Sequence, residues 1–402
     1  MSDPSGALPV VINHFTATSC VGHGLEALRQ ALWSGISGLR PCRFLDTGLP
    51  TFTGEVAGVD EVQLPGELSA HDCRNNRLAH LALHQDGFAN AVQAAAARHG
   101  HHRIGVFLGS STSGLLQTEL AYRAREADGT LPGTLQYATT HNMFSLAGFV
   151  AARFSLTGPQ SVASVACASS AKVFATAARA LHAGLIDAAI VGGVDTLCLT
   201  TLYGFGSLEL LSPDVCRPYD ADRRGISIGE AAAFALLERE AQALPGAARL
   251  AGFGESSDAH HMSSPHPQGL GAIRAMHEAL QRADCAPHDI DYINLHGTAT
   301  PSNDAAEDAA VVSVFGSELP VSSTKGMHGH TLGAAGALEA VVCLLALQDQ
   351  RVPGGLNVNR LDPALAANYR VATEARPLSR VMSNSFGFGG ANASLLFSRT
   401  GP

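Results

Sequence analysis

Ser161-Val-Ala-Ser-Val-Ala-Cys167-Ala-Ser-Ser-Ala-Lys172 is the stretch on which the fold turns. Its first half is small and β-branched, as a buried strand requires. An alanine-rich helical stretch, Ala168 to Ala183, follows at once. Strand, sharp turn and helix with a cysteine at the junction is a layout that lifts one side chain into the open. A cysteine at the end of that strand and in the first turn of the helix is expected to feel the helix N-terminus, which favours thiolate over thiol. Taken alone, a cysteine among alanines is ordinary core filler.

Outward from this junction, strands alternate with helices. Strands are expected at 103–109, 187–193, 231–238, 249–253, 291–295, 321–324 and around Val381 and Ala393. Helices are expected at 272–285, 305–315 and 332–347. Apolar strands interleaved with helices imply parallel sheets covered on both faces. The helices 168–183 and 332–347 are both rich in Gly and Ala and both follow a reactive-looking turn, so the chain reads as two similar halves, 1–246 and 247–402.

With 402 residues, 46% hydrophobic and 15% charged, the chain can bury a large α/β core and is not disordered. The net charge of −9 argues against a nucleic-acid surface. The eight cysteines lack CxxC pairing and read as reduced thiols of the cytoplasm. Met1-Ser-Asp-Pro4 has no basic-then-apolar leader, and no apolar run is long enough to suggest a membrane span. Histidines cluster at His99, His101 and His102 and at His260, His261 and His266, without the companions or spacing of a zinc site, so no metal is expected. Gly109–Gly114 is followed by no Lys-Ser/Thr and is not a phosphate loop.

Two further segments carry chemistry. Asp291-Tyr-Ile-Asn-Leu-His296-Gly-Thr298-Ala-Thr300-Pro reads as a strand ending on a histidine and then turning through hydroxyl residues. Ser323-Thr-Lys325-Gly-Met-His328-Gly-His330 holds one of only two lysines, against 24 arginines. An ammonium kept in so arginine-rich a chain suggests a compact charge or a tunable group.

These segments, with Asn384-Ser-Phe-Gly-Phe388-Gly-Gly390, Arg217-Pro-Tyr-Asp220 and Gly229-Glu230-Ala-Ala, resemble the β-ketoacyl-acyl carrier protein synthases, in particular their Cys-His-His elongating class. The resemblance is nearly end to end. It implies a layered α-β-α-β-α thiolase-like fold and a decarboxylative Claisen condensation of malonyl carrier protein with an acyl chain held on Cys167. By the same resemblance, His296 and His330 hold the malonyl thioester carbonyl as neutral Nε2–H donors. Lys325 and Glu339 form a buried pair beside them, and the backbone N–H groups of Cys167 and Phe388 form an oxyanion hole. Phe388 is also the gate to the acyl path, with Thr112 and Phe205 beyond it. Thr298 and Thr300 bond the pantetheine arm, and Asp304 and Glu307 are supporting carboxylates. His328 is expected to be a solvated turn histidine.

No bound cofactor is implied, because the substrates ride on carrier-protein phosphopantetheine. Arg74, Arg77, Arg123 and Arg125 are the nearest match to carrier-docking regions. A homodimer is implied, or a heterodimer with a chain-length-factor-like homologue that lacks the nucleophile. Ser69–Asn76, Ser207–Pro213 and Gly254–His260 look most like the bacterial aryl polyene ketosynthases. The alternatives are a housekeeping fatty-acid elongation synthase and a non-catalytic partner subunit. A thiolase would carry a second cysteine in the C-terminal turn, and an initiating synthase would have Asn at position 330.

Overall fold

A computed structural model describes residues 10–133 and 135–400. The reading of Met1–Pro4 falls outside them. Eleven strands form one continuous path: β1 (Val10–Ser19), β2 (Ile104–Gly109), β3 (Gln160–Ala163), β4 (Ala188–Asp195), β5 (Ala231–Arg239), β6 (Ala248–Ser257), β7 (Tyr292–Asn294), β8 (Pro320–Ser322), β9 (Asn368–Tyr369), β10 (Arg380–Gly387) and β11 (Ala391–Arg399). Their spatial order is β9-β8-β7-β10-β11-β6-β1-β5-β4-β2-β3.

The order contains a repeat. Numbered within itself, the first half runs 3-2-4-5-1 from its outer edge, and β6, β7, β8, β10 and β11 of the second half run the same way. In each half the third, second and fourth strands are parallel and the fifth is antiparallel to both its neighbours. Within this path the two halves pair where Val10, Val11 and Ile12 of β1 face Leu250, Arg249 and Ala248 of β6.

The sheets are therefore mixed, not parallel as the alternating pattern predicts. β10 and β11 are linked by only three residues, Phe388–Gly390, too few for the crossover that parallel neighbours need.

Seven helices complete the layers: α1 (Arg74–Leu83), α2 (Phe88–His99), α3 (Ser145–Arg153), α4 (Ser169–His182), α5 (Leu270–Arg282), α6 (Pro301–Phe315) and α7 (Ala335–Asp349). α4 and α7 lie between the two halves of the sheet and share one core with both. α1, α2 and α3 cover the outer face of the first half, and α5 and α6 that of the second. This is an α-β-α-β-α sandwich.

Close approach explains the small residues of the middle layer. A Cβ at Gly336 of α7 would lie 2.7 Å from Cβ of Ala171 in α4, and one at Gly109 would lie 2.3 Å from the backbone N of Ser170. Leu332–Asp349 is apolar and long enough to cross a membrane, but it is buried here between the sheets.

Candidate active site

Both central helices are preceded by a turn that brings chemistry to the junction of the halves. β3 ends at Ala163, so Cys167 stands past the strand in a turn whose Ala166 has a left-handed φ of 52°. That conformation is costly for a residue with a Cβ. Ser169 secures it: its hydroxyl accepts the N–H of Val165 at 2.9 Å and donates to the Ala166 carbonyl at 2.5 Å. In the second half, the turn after β8 carries Lys325, His328 and His330 ahead of α7.

Sγ of Cys167 lies 2.9 Å from Nε2 of His330. The rings of His330 and His296 stand edge to face at 5.3 Å. His296 follows β7 through the turn His296-Gly297-Thr298-Ala299, in which Gly297 and Ala299 both have positive φ. Glu307 of α6 clamps this turn, accepting the N–H of His296 at 2.8 Å and that of Gly297 at 2.7 Å. Asp304 accepts the N–H of Ala299 at 3.2 Å and that of Tyr219 at 3.1 Å.

Lys325 is fully buried. Its ammonium donates to the His296 carbonyl at 2.6 Å, to the Glu339 carboxylate, and towards Nδ1 of His296 at 3.4 Å. An ammonium can only donate. Nδ1 of His296 is thereby the acceptor, and the ring proton sits on Nε2. Nδ1 of His330 is buried without a partner among the described residues, so no contact fixes its tautomer.

Burial, followed by the Lys325 charge, pushes the pKa of both imidazoles well below the ordinary histidine value and keeps them neutral. Burial also pushes Cys167 up to about 12, against the pull of Lys325 and of the Phe388 N–H. The resting thiolate expected from the helix N-terminus is thus corrected: desolvation outweighs the local dipole. The resting group is a thiol beside an imidazole. Glu307 and Glu339 are each raised to about 7, chiefly by burial.

These residues open on a cleft lined by Cys167, His296, His330, Thr298, Thr300, Phe205 and Phe388. The hydroxyls of Thr298 and Thr300 are 2.9 Å apart, and the rings of Phe205 and Phe388 are 5.8 Å apart. A Cβ at Gly387 would lie 2.9 Å from the Val165 carbonyl, so the turn carrying Phe388 can only approach the cysteine turn this closely without one. The Cys167 sulfur and the two imidazoles offer donor atoms within 4.8 Å of one another, a set a soft cation could use.

Thr112, expected on the acyl path beyond Phe388, is buried with its hydroxyl donating to Asp195 at 2.8 Å. Two expectations are overturned here. His328 is buried, not solvated, with its ring nitrogens at 2.8 Å from the Gly329 carbonyl and 3.0 Å from the Thr324 hydroxyl. Arg74 is buried too, paired with Glu230 at 2.7 Å and Asp60 at 2.6 Å, and cannot meet a docking protein. Of the other arginines, Arg77 is held by Asp72 at 2.6 Å, while Arg123 and Arg125 are exposed.

Two carboxylates have roles that the sequence reading did not assign, although Glu230 stood in one of its motifs. Asp195, at the end of β4, accepts from Ser110, Ser111 and Thr112 and from Gly333 N–H at 2.6 Å, tying the loop after β2 to the turn just beyond His330. Glu230 accepts the N–H groups of Val56 and Leu197 besides pairing with Arg74. The available signal was a lone carboxylate closing the apolar run of β4 for Asp195, and one interrupting an apolar run for Glu230.

The family description "Beta-ketoacyl synthase, N-terminal domain" matches residues 76–243, and "Beta-ketoacyl synthase, C-terminal domain" matches 247–359. The chain is 33% identical to 3-oxoacyl-[acyl-carrier-protein] synthase 2 of Vibrio cholerae over 97% of this chain and 99% of that one. It is 34% identical to nodulation protein E of Rhizobium leguminosarum bv. trifolii over 96% and 98%. Among solved structures it is similar to the ketosynthase ApeO in complex with its chain length factor ApeC from Xenorhabdus doucetiae, at TM-score 0.90 and 38% identity with both chains fully covered. It is also similar to the ishigamide ketosynthase/chain length factor, at TM-score 0.89 and 28% identity over 98% of this chain and 100% of that one.

Proposed function

This chain belongs to the β-ketoacyl synthase family, and from that premise we propose that it condenses malonyl carrier protein with an acyl chain held on Cys167, releasing CO2. It is an acyltransferase of the condensing type. The observation that carries the residue roles is the 2.9 Å contact of a neutral thiol with a neutral imidazole whose Nδ1 is unpartnered.

Sγ attacks the acyl thioester carbonyl and its proton passes to Nε2 of His330. The bond to the pantetheine sulfur breaks, and that sulfur takes the proton away. The oxyanion formed on the way is held by the N–H groups of Cys167 and Phe388. When malonyl thioester enters, its C–CO2 bond breaks and the electron pair is delocalised onto the thioester oxygen. That enolate oxygen is held by Nε2–H of His296 and of His330. With no contact fixing its tautomer, His330 can accept at Nε2 in one step and donate there in the next. The enolate carbon then attacks the acyl carbonyl, and Cys167 leaves as a thiolate, which takes up one proton from solvent to restore the thiol.

The acyl chain we assign is a conjugated, aryl-polyene-type one, rather than the saturated chain of housekeeping elongation. Support comes from the loop resemblance and from Phe205 and Phe388, which give the cleft an aromatic lining on which a conjugated chain can stack. The partner we assign besides acyl carrier protein is a chain-length-factor-like homologue, seated on the β3 edge. Among the described residues β3 pairs only with β2, whereas its counterpart β8 is covered by β9. Val165 beside it is exposed, and so is Phe144 at the start of α3, which packs against β3. A cytoplasmic setting fits eight free thiols.

Intact-protein mass spectrometry tests the chemistry and the substrate together. Incubation with competing polyenoyl and saturated acyl carrier proteins of equal length is expected to give one adduct, predominantly polyenoyl, absent in Cys167→Ala. Labelling that survives the substitution overturns the nucleophile. A saturated adduct returns the chain to ordinary elongation.

A further inference from the structure

The loop between β6 and α5 carries three histidines, His260, His261 and His266, that the condensation does not use. We propose that this loop is a phosphate site, recognising the phosphate ester at the outer end of the pantetheine arm through the Nε2–H groups of His261 and His266. The proposal rests on the reading of the cleft as a pantetheine channel.

The loop is part of the cleft: Asp258, Ser263, Ser264 and Pro265 line it. It is also latched to the turn of Phe388. The N–H of Asp258 donates to the Gly390 carbonyl at 2.9 Å, and the N–H of Gly389 donates to the Met262 carbonyl at 2.7 Å. The loop that carries His261 and His266 therefore borders the opening through which a thioester reaches Cys167.

The loop's own hydrogen bonds set the tautomers. Nδ1 of His261 accepts the N–H of Ser263 at 3.2 Å, and Nδ1 of His266 accepts the N–H of Gln268 at 3.2 Å. An imidazole that accepts at Nδ1 carries its proton at Nε2. Two N–H donors are thus left unspent on one loop, His261 exposed and His266 half-buried. The ring of His260 packs edge to face on His266 at 5.1 Å and limits how that ring can turn.

The nearest carboxylate in the loop does not compete for these donors. Asp258 accepts from Asn392 Nδ2 at 2.8 Å on one oxygen and from the His266 N–H at 3.0 Å on the other. In a protein of net charge −9, an anionic ligand needs such a locally donor-rich rim. Hydrogen bonds to a charged acceptor are the strong ones.

The test compares acyl-phosphopantetheine with acyl-pantetheine, which differ only in the phosphate. Wild type is expected to favour the phosphorylated thioester in kcat/KM by about tenfold or more, the worth of one hydrogen bond to a charged group. The double variant His261→Asn/His266→Asn keeps an oxygen where Nδ1 accepts but has no donor at the Nε2 position, and should lose that preference. His261→Gln/His266→Gln, with an amide N–H near the Nε2 position, should restore part of it.

Carrier-bound and coenzyme A thioesters should lose alike in the Asn variant. A loss on the carrier alone would mean contact with the protein surface and would overturn the phosphate assignment. An unchanged preference in the Asn variant overturns it as well. Calorimetric binding of free phosphopantetheine against pantetheine reads the same difference without turnover. If wild type binds the phosphorylated arm better but never acylates Cys167, the phosphate site stands and the condensation reading falls.

Discussion

Cys167 stands in opposing fields. Burial drives its thiol towards the neutral form, while Lys325 and the Phe388 N–H favour the anion. Glu307, under the His296 turn, shows the same contest in a group whose consequence can be measured. Its folded pKa of about 7 lies above the ordinary 4.5, so the folded state holds its proton more tightly than the unfolded chain does. The stability this gives is fully present below about pH 4.5 and is lost as pH rises through about 7. The stability of wild type relative to Glu307→Gln should therefore fall between pH 5 and pH 8, by at most about 3 kcal/mol. Denaturant unfolding at several pH values checks it, and a flat difference would show the shift to be wrong. At this scale the sequence exposed the residue types but not their fields. The resemblance singled out His330, which faces a thiol, but nothing in Ser323–His330 showed that His328 is sealed against Gly329 and Thr324. Arg74 and Arg123 likewise read alike, although one is buried on Glu230 and the other is exposed.

α4 and α7 are the elements on which the site depends, because each aims the turn ahead of it. Thirteen of the fifteen residues of α7 are buried, so it has no polar face to orient it, and steric fit against α4 must do so. Gly336→Ala would press a methyl to 2.7 Å from Ala171 and is expected to cost about 1–3 kcal/mol, with the loss carried into kcat through His330. Gly204, in the helix Leu199–Ser207, has no atom within 4 Å of such a methyl, and Gly204→Ala should be neutral or stabilising by about 0.5–1 kcal/mol. Paired melting curves decide between local fit and a general dislike of side chains. The Gly/Ala composition made both central helices legible from sequence. Strand direction was not, since an apolar strand reads the same whether its neighbour runs with it or against it.

For the whole molecule, the open β3 edge is the feature with the widest reach. Val106 N–H donates to the Pro159 carbonyl and Ser110 N–H to the Ala163 carbonyl, so alternate residues of β3 face β2 and the N–H of Gln160 faces outward. Gln160→Pro removes that donor and should weaken co-purification with a co-expressed chain-length-factor-like homologue, while the monomer's melting temperature changes little. Unaltered co-purification would place the interface elsewhere. The two-half organisation was legible because the Gly/Ala helix recurs, but its strand order was not. The pairings that create it span long stretches of chain and leave no local pattern.

The repeated strand order has a chemical consequence. Cys167 lies between the third strand and the central helix of one half, and His330 lies between the third strand and the central helix of the other. They come from corresponding connections of the two halves, as two copies of one unit meeting on a twofold axis would bring them. Two identical subunits meeting on such an axis could bring only like to like, thiol to thiol or imidazole to imidazole. A nucleophile facing its own proton acceptor at this point demands that the two copies differ, as the two halves of this one chain do.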